Sequence, residues 1–293
     1  MKRFIKYILG LALATVVIMV ALDYSYTKIL TKSEPRTKFQ LLRSLKDKKV
    51  SYIFLGSSRV ENGIIPLVIK EKTQKEAVNL GFQASKLGDI YTILQLIKAY
   101  HIQAEKIFIQ VDYIFNIDGY SNIMQYELMP FVRENEVTKS YFDNHFSEDK
   151  ALYYMPFYRY CQNDVKIGFR EFFSNVIAKK TNVKANKGYI GLTGTHTNHE
   201  YDLPKTIANS NIHFDKIKTY CVANKINAVF FVAPFCKHTK NLHFITKLKS
   251  KIPELKDYSG AIQDKNMFQN CGHLNDKGAH LFTTILTEEL LLK

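Results

Sequence analysis

The chain has 293 residues, enough for one large or two small domains, and 46% of them are apolar, including 20 Phe and 18 Tyr but no Trp. That stock of core material excludes disordered and collagen-like classes. The net charge of +14, from 41 Lys and Arg against 27 acids, comes without a compact basic-aromatic cluster or zinc-finger spacing, so nucleic acid is not read as a partner; the scattered lysines read as a solvated surface, with attraction to anionic membrane or glycan as the second reading.

Lys2, Arg3 and Lys6 precede Tyr7 to Leu22, a run with no charged residue that Asp23 ends. Its length falls between a signal-peptide core and a spanning helix of roughly 17–25 residues. No small-residue cleavage site follows, and Tyr24 and Tyr26 read as interfacial anchors. The expectation is an uncleaved signal anchor over 1–26. The basic residues before it keep that end in the cytoplasm and place the rest on the extracytoplasmic side. Residues 27–49 read as a juxtamembrane linker with a short helix around Phe39 to Leu45, and residues 50–293 as the body.

Five short strands are expected in the body: Tyr52 to Leu55, Ala77 to Gly81, Lys106 to Asp112, Ala228 to Pro234, and a last one at Asn266 to Asn270. Helical patterns alternate with them at 85–100, 211–225, 238–251 and 276–292, the first with apolar residues at Leu87, Ile90, Tyr91, Leu94 and Ile97. This alternation predicts an α/β fold, a flavodoxin-like three-layer α/β/α arrangement around a parallel sheet, preceded by the transmembrane helix. The stretch at about 115–210 breaks the rhythm. It is rich in Tyr and Phe, carries one expected helix from Asp164 to Lys179, and reads as a cap insertion over the strand tips.

Two places carry candidate chemistry. The first strand stops at Gly56-Ser57-Ser58, and the C-terminal ends of the strands are where an open parallel sheet presents its ligand crevice. Read alone, the triplet is a tight turn and a serine helix cap. The second is Asn270-Cys-Gly-His-Leu-Asn-Asp-Lys-Gly-Ala279, where His273 sits in a Gly- and Asn-rich loop before a terminal helix, a setting that suits a general base better than a core residue. His196 and His199, three apart, have no partner ligands in a defined motif, and no metal is read from them. Of Cys161, Cys221, Cys236 and Cys271, none forms a CxxC pair; Cys236 and Cys271 both fall near the sheet's C-terminal edge and pair if the compartment is oxidising.

In this order and spacing, Leu55-Gly-Ser-Ser-Arg59, Asn79-Leu-Gly81 and His273-Leu-Asn-Asp-Lys-Gly-Ala279 resemble three sequence blocks of the SGNH/GDSL-type hydrolase superfamily, and within it the membrane-anchored bacterial members related to cell-surface polysaccharide acylation. The resemblance implies Ser58 as nucleophile, His273 as base, and the N–H groups of Ser58 and Gly81 as oxyanion donors. It implies a serine esterase or O-acyltransferase acting on O-acyl, most readily O-acetyl, groups of an extracytoplasmic glycan, without metal or organic cofactor. The partners it points to are the membrane, a cell-surface glycan and an envelope acylation partner.

The sequence departs from that pattern twice. Asn270 stands where the superfamily usually has an Asp, a change that can cost ~10⁴ in kcat by favouring the wrong imidazole tautomer; Asp264 or a backbone carbonyl is the expected substitute. The oxyanion-hole Asn expected after the third strand is missing. Asp112 stands near that place, with Gln83 and Asn116 as alternatives, and Arg59 as a packing or carboxylate-orienting residue. These departures favour a second reading, a catalytically degraded relative that binds glycan or scaffolds an envelope complex.

Overall fold

The computed structural model describes residues 1–146, 148, 150–196 and 201–292. The chain opens with helix α1 (Lys2–Lys32) and helix α2 (Lys38–Ser44), then enters strand β1 (Lys49–Gly56). Along β1, Ile53 and Leu55 face one apolar core while Tyr52 and Phe54 face another, the alternation of a strand covered on both sides. Helices α3 (Ser58–Glu61) and α4 (Pro66–Thr73) lead to strand β2 (Ala77–Gly81), helix α5 (Leu87–Ala99) and strand β3 (Gln103–Gln110).

An insertion of short helices follows: α6 (Asn122–Leu128), α7 (Glu136–His145), α8 (Lys150–Tyr154), α9 (Tyr158–Gln162), α10 (Asp164–Ile167), α11 (Phe169–Val176) and α12 (Asn182–Ala185). The chain then returns to the body with helix α13 (Ile212–Ala223), strand β4 (Ala228–Val232), helix α14 (His243–Lys251) and strand β5 (Lys256–Asp257). It closes with strands β6 (Phe268–Asn270) and β7 (His273–Leu274) and helix α15 (Asp276–Leu290).

Strands β1 to β5 form one parallel sheet in the order β2-β1-β3-β4-β5. Helices α5 and α13 cover one face and α4 and α15 the other, so the expected three-layer α/β/α fold is present. The order reverses between β1 and β3, which puts the ligand crevice of such a sheet beyond the ends of those strands. Ser57 and Ser58 follow β1 at that point.

The structure departs from the sequence reading in four places. The fifth strand of the sheet is Lys256–Asp257, two exposed polar residues with no apolar run to betray them. The expected last strand instead pairs antiparallel with His273–Leu274 outside the sheet. The helix expected from Asp164 to Lys179 breaks at Gly168, whose backbone is extended. The insertion's helices pack largely beside the sheet, against α1, α2 and α5, while residues 188–196 run past α3 and the start of α15, with backbone hydrogen bonds to Glu61, Asp276 and Gln269.

The fourth departure is at residue 26, where the anchor was expected to give way to a linker. Helix α1 continues unbroken to Lys32, because Asp23 is buried in a forked ion pair. Arg159 Nη1 and Nη2 donate to its Oδ2 and Oδ1 at 2.7 and 2.6 Å, and the Phe157 N–H adds a bond at 3.1 Å. Tyr26 stacks on Phe172 with ring centres 4.1 Å apart. Among the described residues the apolar part of α1 has no such partners; its most apolar 18-residue window has a mean hydropathy of 2.3 and is unburied. It is long and apolar enough to cross a membrane.

Candidate active site

Ser57 caps α3, and two buried amides set the geometry around it. Gln110, the last residue of β3, accepts on Oε1 from the Ser57 N–H at 2.8 Å and from Ser57 Oγ at 2.9 Å. Gly56 makes room for that amide, since a Cβ there would lie 2.5 Å from Gln110 Oε1. Asn79 of β2 donates from Nδ2 to the Val60 and Ile64 carbonyls, both at 2.7 Å, tying α3 down on the sheet. Ser58 thereby opens α3, half-buried, with an N–H that has no hydrogen-bond partner among the described residues.

Ser58 Oγ lies 2.7 Å from His273 Nε2, although 215 residues separate them in sequence. The other ring nitrogen, Nδ1, is 3.0 Å from Asn270 Oδ1. That same Oδ1 accepts from the Gly272 N–H at 2.9 Å, while Asn270 Nδ2 donates to Gln269 Oε1 at 2.7 Å. A backbone N–H can only donate, so the amide must turn its oxygen to Gly272 and therefore to the ring. His273 then carries its proton on Nδ1 and leaves Nε2 as the acceptor for the serine hydroxyl. The wrong-tautomer cost expected of an asparagine is avoided by this local turn, and neither substitute is needed. Asp264 is exposed and caps the turn at Lys265–Met267 instead.

The loop bearing His273 is held at several points. Cys271 is disulfide-bonded to Cys236, which follows β4. Gly272 packs under the ring of Tyr201, with no room for a Cβ. Arg59 reaches across from α3: Nη1 donates to the Gly272 carbonyl at 2.5 Å, and Nη2 to the Ala233 and Pro234 carbonyls at 2.7 and 2.9 Å. Its Nε sits 2.9 Å from Asp112 Oδ2, an ion pair by charge and proximity rather than by N–H alignment. The guanidinium also lies 3.5 Å over the Phe235 ring.

Burial lowers the pKa of His273, and the nearby Arg59 charge lowers it further, to about 4 from an ordinary 6.5. A base must be neutral to accept a proton, so its activity is full above that value and falls as pH drops through it. The acid limb of a kcat/KM profile is therefore expected near pH 4 rather than near 6.5. A limb centred near 6.5 would show that His273 is not held as described.

The remaining sequence-derived candidates do not assemble as an oxyanion hole. The Gly81 N–H donates to Asn79 Oδ1 at 3.0 Å and is not free. This glycine instead lets α3 sit on β2, because a Cβ would come within 2.5 Å of the Glu61 nitrogen and 2.9 Å of the Ser57 carbonyl. Asp112 is engaged by Arg59 and by the Gln110 amide, and its pKa is raised by burial against the opposing pull of the Arg59 charge. Gln83 donates to Glu61. Asn116 holds the chain after the insertion, donating to the Thr206 carbonyl at 2.7 Å and accepting from the Ala208 N–H at 2.9 Å. His196 bonds through its backbone to the Gln269 carbonyl at 2.6 Å, and His199 lies outside the described residues.

Gln110 and the anchoring role of Asn79 are what sequence reading missed. The signal was available: Gln110 and Asn79 are polar residues inside otherwise apolar strands, close to the tips that carry the site. A buried amide in such a place has to satisfy both ends of its side chain: Gln110 does so on Ser57 and Asp112, and Asn79 on the segment after Ser58 and on the Gly81 N–H of its own strand.

No protein-family model matches the chain, and no curated protein matches it. Among solved structures, one from Streptococcus pneumonia, provisionally described as a platelet activating factor, aligns over 95% of this chain and 99% of its own at 16% identity, with a TM-score of 0.32. A likeness at that level carries no argument for this chain, so what its residues can do rests on their geometry.

Proposed function

We propose that this chain is a membrane-anchored serine esterase or O-acyltransferase of the SGNH type, acting on O-acyl groups, most readily O-acetyl, of an extracytoplasmic glycan. One observation carries the reading: Ser58 Oγ, His273 and Asn270 in a line of hydrogen bonds of 2.7 and 3.0 Å, with the imidazole tautomer fixed by the Gly272 N–H. Ser58 Oγ attacks the acyl carbon while its proton passes to His273 Nε2. The unpartnered Ser58 N–H donates to the oxygen that becomes negative. Collapse of that intermediate expels the alkoxide, which takes the proton back from His273, and leaves the acyl group on Ser58. Water or a second sugar hydroxyl then accepts the acyl group by the same steps in reverse. The apolar run of α1, preceded by Lys2, Arg3 and Lys6, supports anchoring with the body outside the cytoplasm.

The test is hydrolysis of p-nitrophenyl acetate by the full chain and by Ser58→Ala. Loss of turnover in the variant supports the reading, and equal rates refute it. A second reading, a catalytically degraded relative that binds glycan or scaffolds an envelope complex, is favoured by the engagement of the Gly81 N–H with Asn79, which leaves Ser58 as the one oxyanion donor identified. Equal rates would leave that reading standing.

A further inference from the structure

Helix α11 has two unlike faces. One is locked to the base of α1 and to α2: Phe172 stacks on Tyr26, Glu171 pairs with Arg36 at 2.6 Å, and the buried Asn175 meets Gln40 at 3.3 Å. The other presents Phe169, Phe173, Val176 and Ile177 at helical spacing, from 49 to 64% exposed, with Phe169 and Phe173 stacked upon each other. Val165 of the neighbouring α10 is a further exposed apolar residue, at 77%. Lys166, Arg170, Lys179 and Lys180 stand exposed around it. A large apolar face on a firmly held helix, rimmed by cations, is not a packing remnant.

Its position relative to α1 decides what covers it. Tyr26, against which α11 packs, is four residues beyond Leu22, the last residue of the charge-free run. At about 1.5 Å per residue, that sets α11 about 6 Å along the axis from the end of the run. This is the depth of the headgroup zone for a helix that crosses the bilayer, and the depth at which amphipathic helices with basic rims lie. The exposed apolar residues of α11 and the exposed apolar run of α1 therefore lie within about a helical turn of each other along that axis.

We infer that α11, together with Val165, lies in the interface of the bilayer that receives α1, giving the protein a second membrane contact with a preference for anionic lipid. The inference rests on the anchor reading of α1. Because the chain contains no Trp, single substitutions supply unambiguous reporters. Full-length Phe173→Trp, Leu13→Trp and Val222→Trp, all at exposed positions, are reconstituted into vesicles of phosphatidylcholine and phosphatidylglycerol brominated either near the headgroup end or deep in the acyl chain. The expected result is strong quenching of Phe173→Trp by the shallow bromines, strongest quenching of Leu13→Trp by the deep ones, and none for Val222→Trp on α13. Quenched Leu13→Trp beside unquenched Phe173→Trp overturns the interfacial contact while leaving the anchor intact. Unquenched Leu13→Trp overturns the anchor and this inference with it. Shielding of Phe173→Trp that depends on protein concentration and not on bromine assigns the face to a second copy, and also overturns the inference.

Discussion

Asn270→Ala should lower kcat for ester hydrolysis on the order of 10³–10⁴-fold with little change in KM. The side chain touches no substrate atom in the proposed reaction. In that reaction it accepts from Nδ1, 3.0 Å from its Oδ1, so that Nε2 faces Ser58 unprotonated. Without it, the ring is free to rotate or to take the other tautomer, and most encounters find a donor where an acceptor is required. Asn270→Asp separates this role from simple packing. A carboxylate behind Nδ1 favours the imidazolium, so the acid limb of kcat/KM should move up from about pH 4, while kcat is kept or raised. Wild-type kcat in the alanine variant, or an unmoved acid limb in the aspartate variant, would remove Asn270 from the mechanism.

Arg59→Met should destabilise the protein by about 3–5 kcal/mol, measured as a fall in the urea midpoint of the full chain in detergent. Both Arg59 and Asp112 are essentially without solvent contact. Removing the cation leaves a carboxylate buried with a pKa already raised by burial, and three backbone carbonyls lose their donor. Replacing both charges, as Arg59→Met with Asp112→Leu, should recover a large part of the loss, because the buried charge no longer has to be carried. The single variant should also shift the acid limb upward, since the positive charge that disfavours the imidazolium is gone. Strictly additive losses in the double variant would mean that the two side chains act separately.

The serine and the histidine were legible because each is a polar residue in a place where the chain has just ended an apolar strand or is about to start a helix. Their pairing is read from the resemblance of their flanking residues, in that order, to the SGNH/GDSL blocks. The oxyanion assignment to Gly81 failed for a local reason: Asn79, two residues earlier in the same strand, curls its carbonyl back onto that N–H, and sequence position says nothing about which acceptor reaches a donor first. Arg59 was visible as a flanking residue, but its partners lie 53, 174, 175 and 213 positions away. The two-residue strand β5 had no pattern to read, and the helix past Asp23 was hidden because a charge that ends an apolar run looks the same whether it meets water or a buried arginine.

The union of Asp23 with Arg159 also bears on reach. Residues 27–50 as a loose tether would let the body range over roughly 80 Å from its membrane exit, at about 3.3 Å per extended residue. A helix that enters the body without a joint works instead as a post. With α1 in the bilayer, Ser58 keeps one height and one facing above the lipid, and the protein surveys its surroundings only by drifting sideways in the plane. Under the proposed function, acceptors would then be chosen first by altitude, those presented near the membrane being reachable and those farther out not.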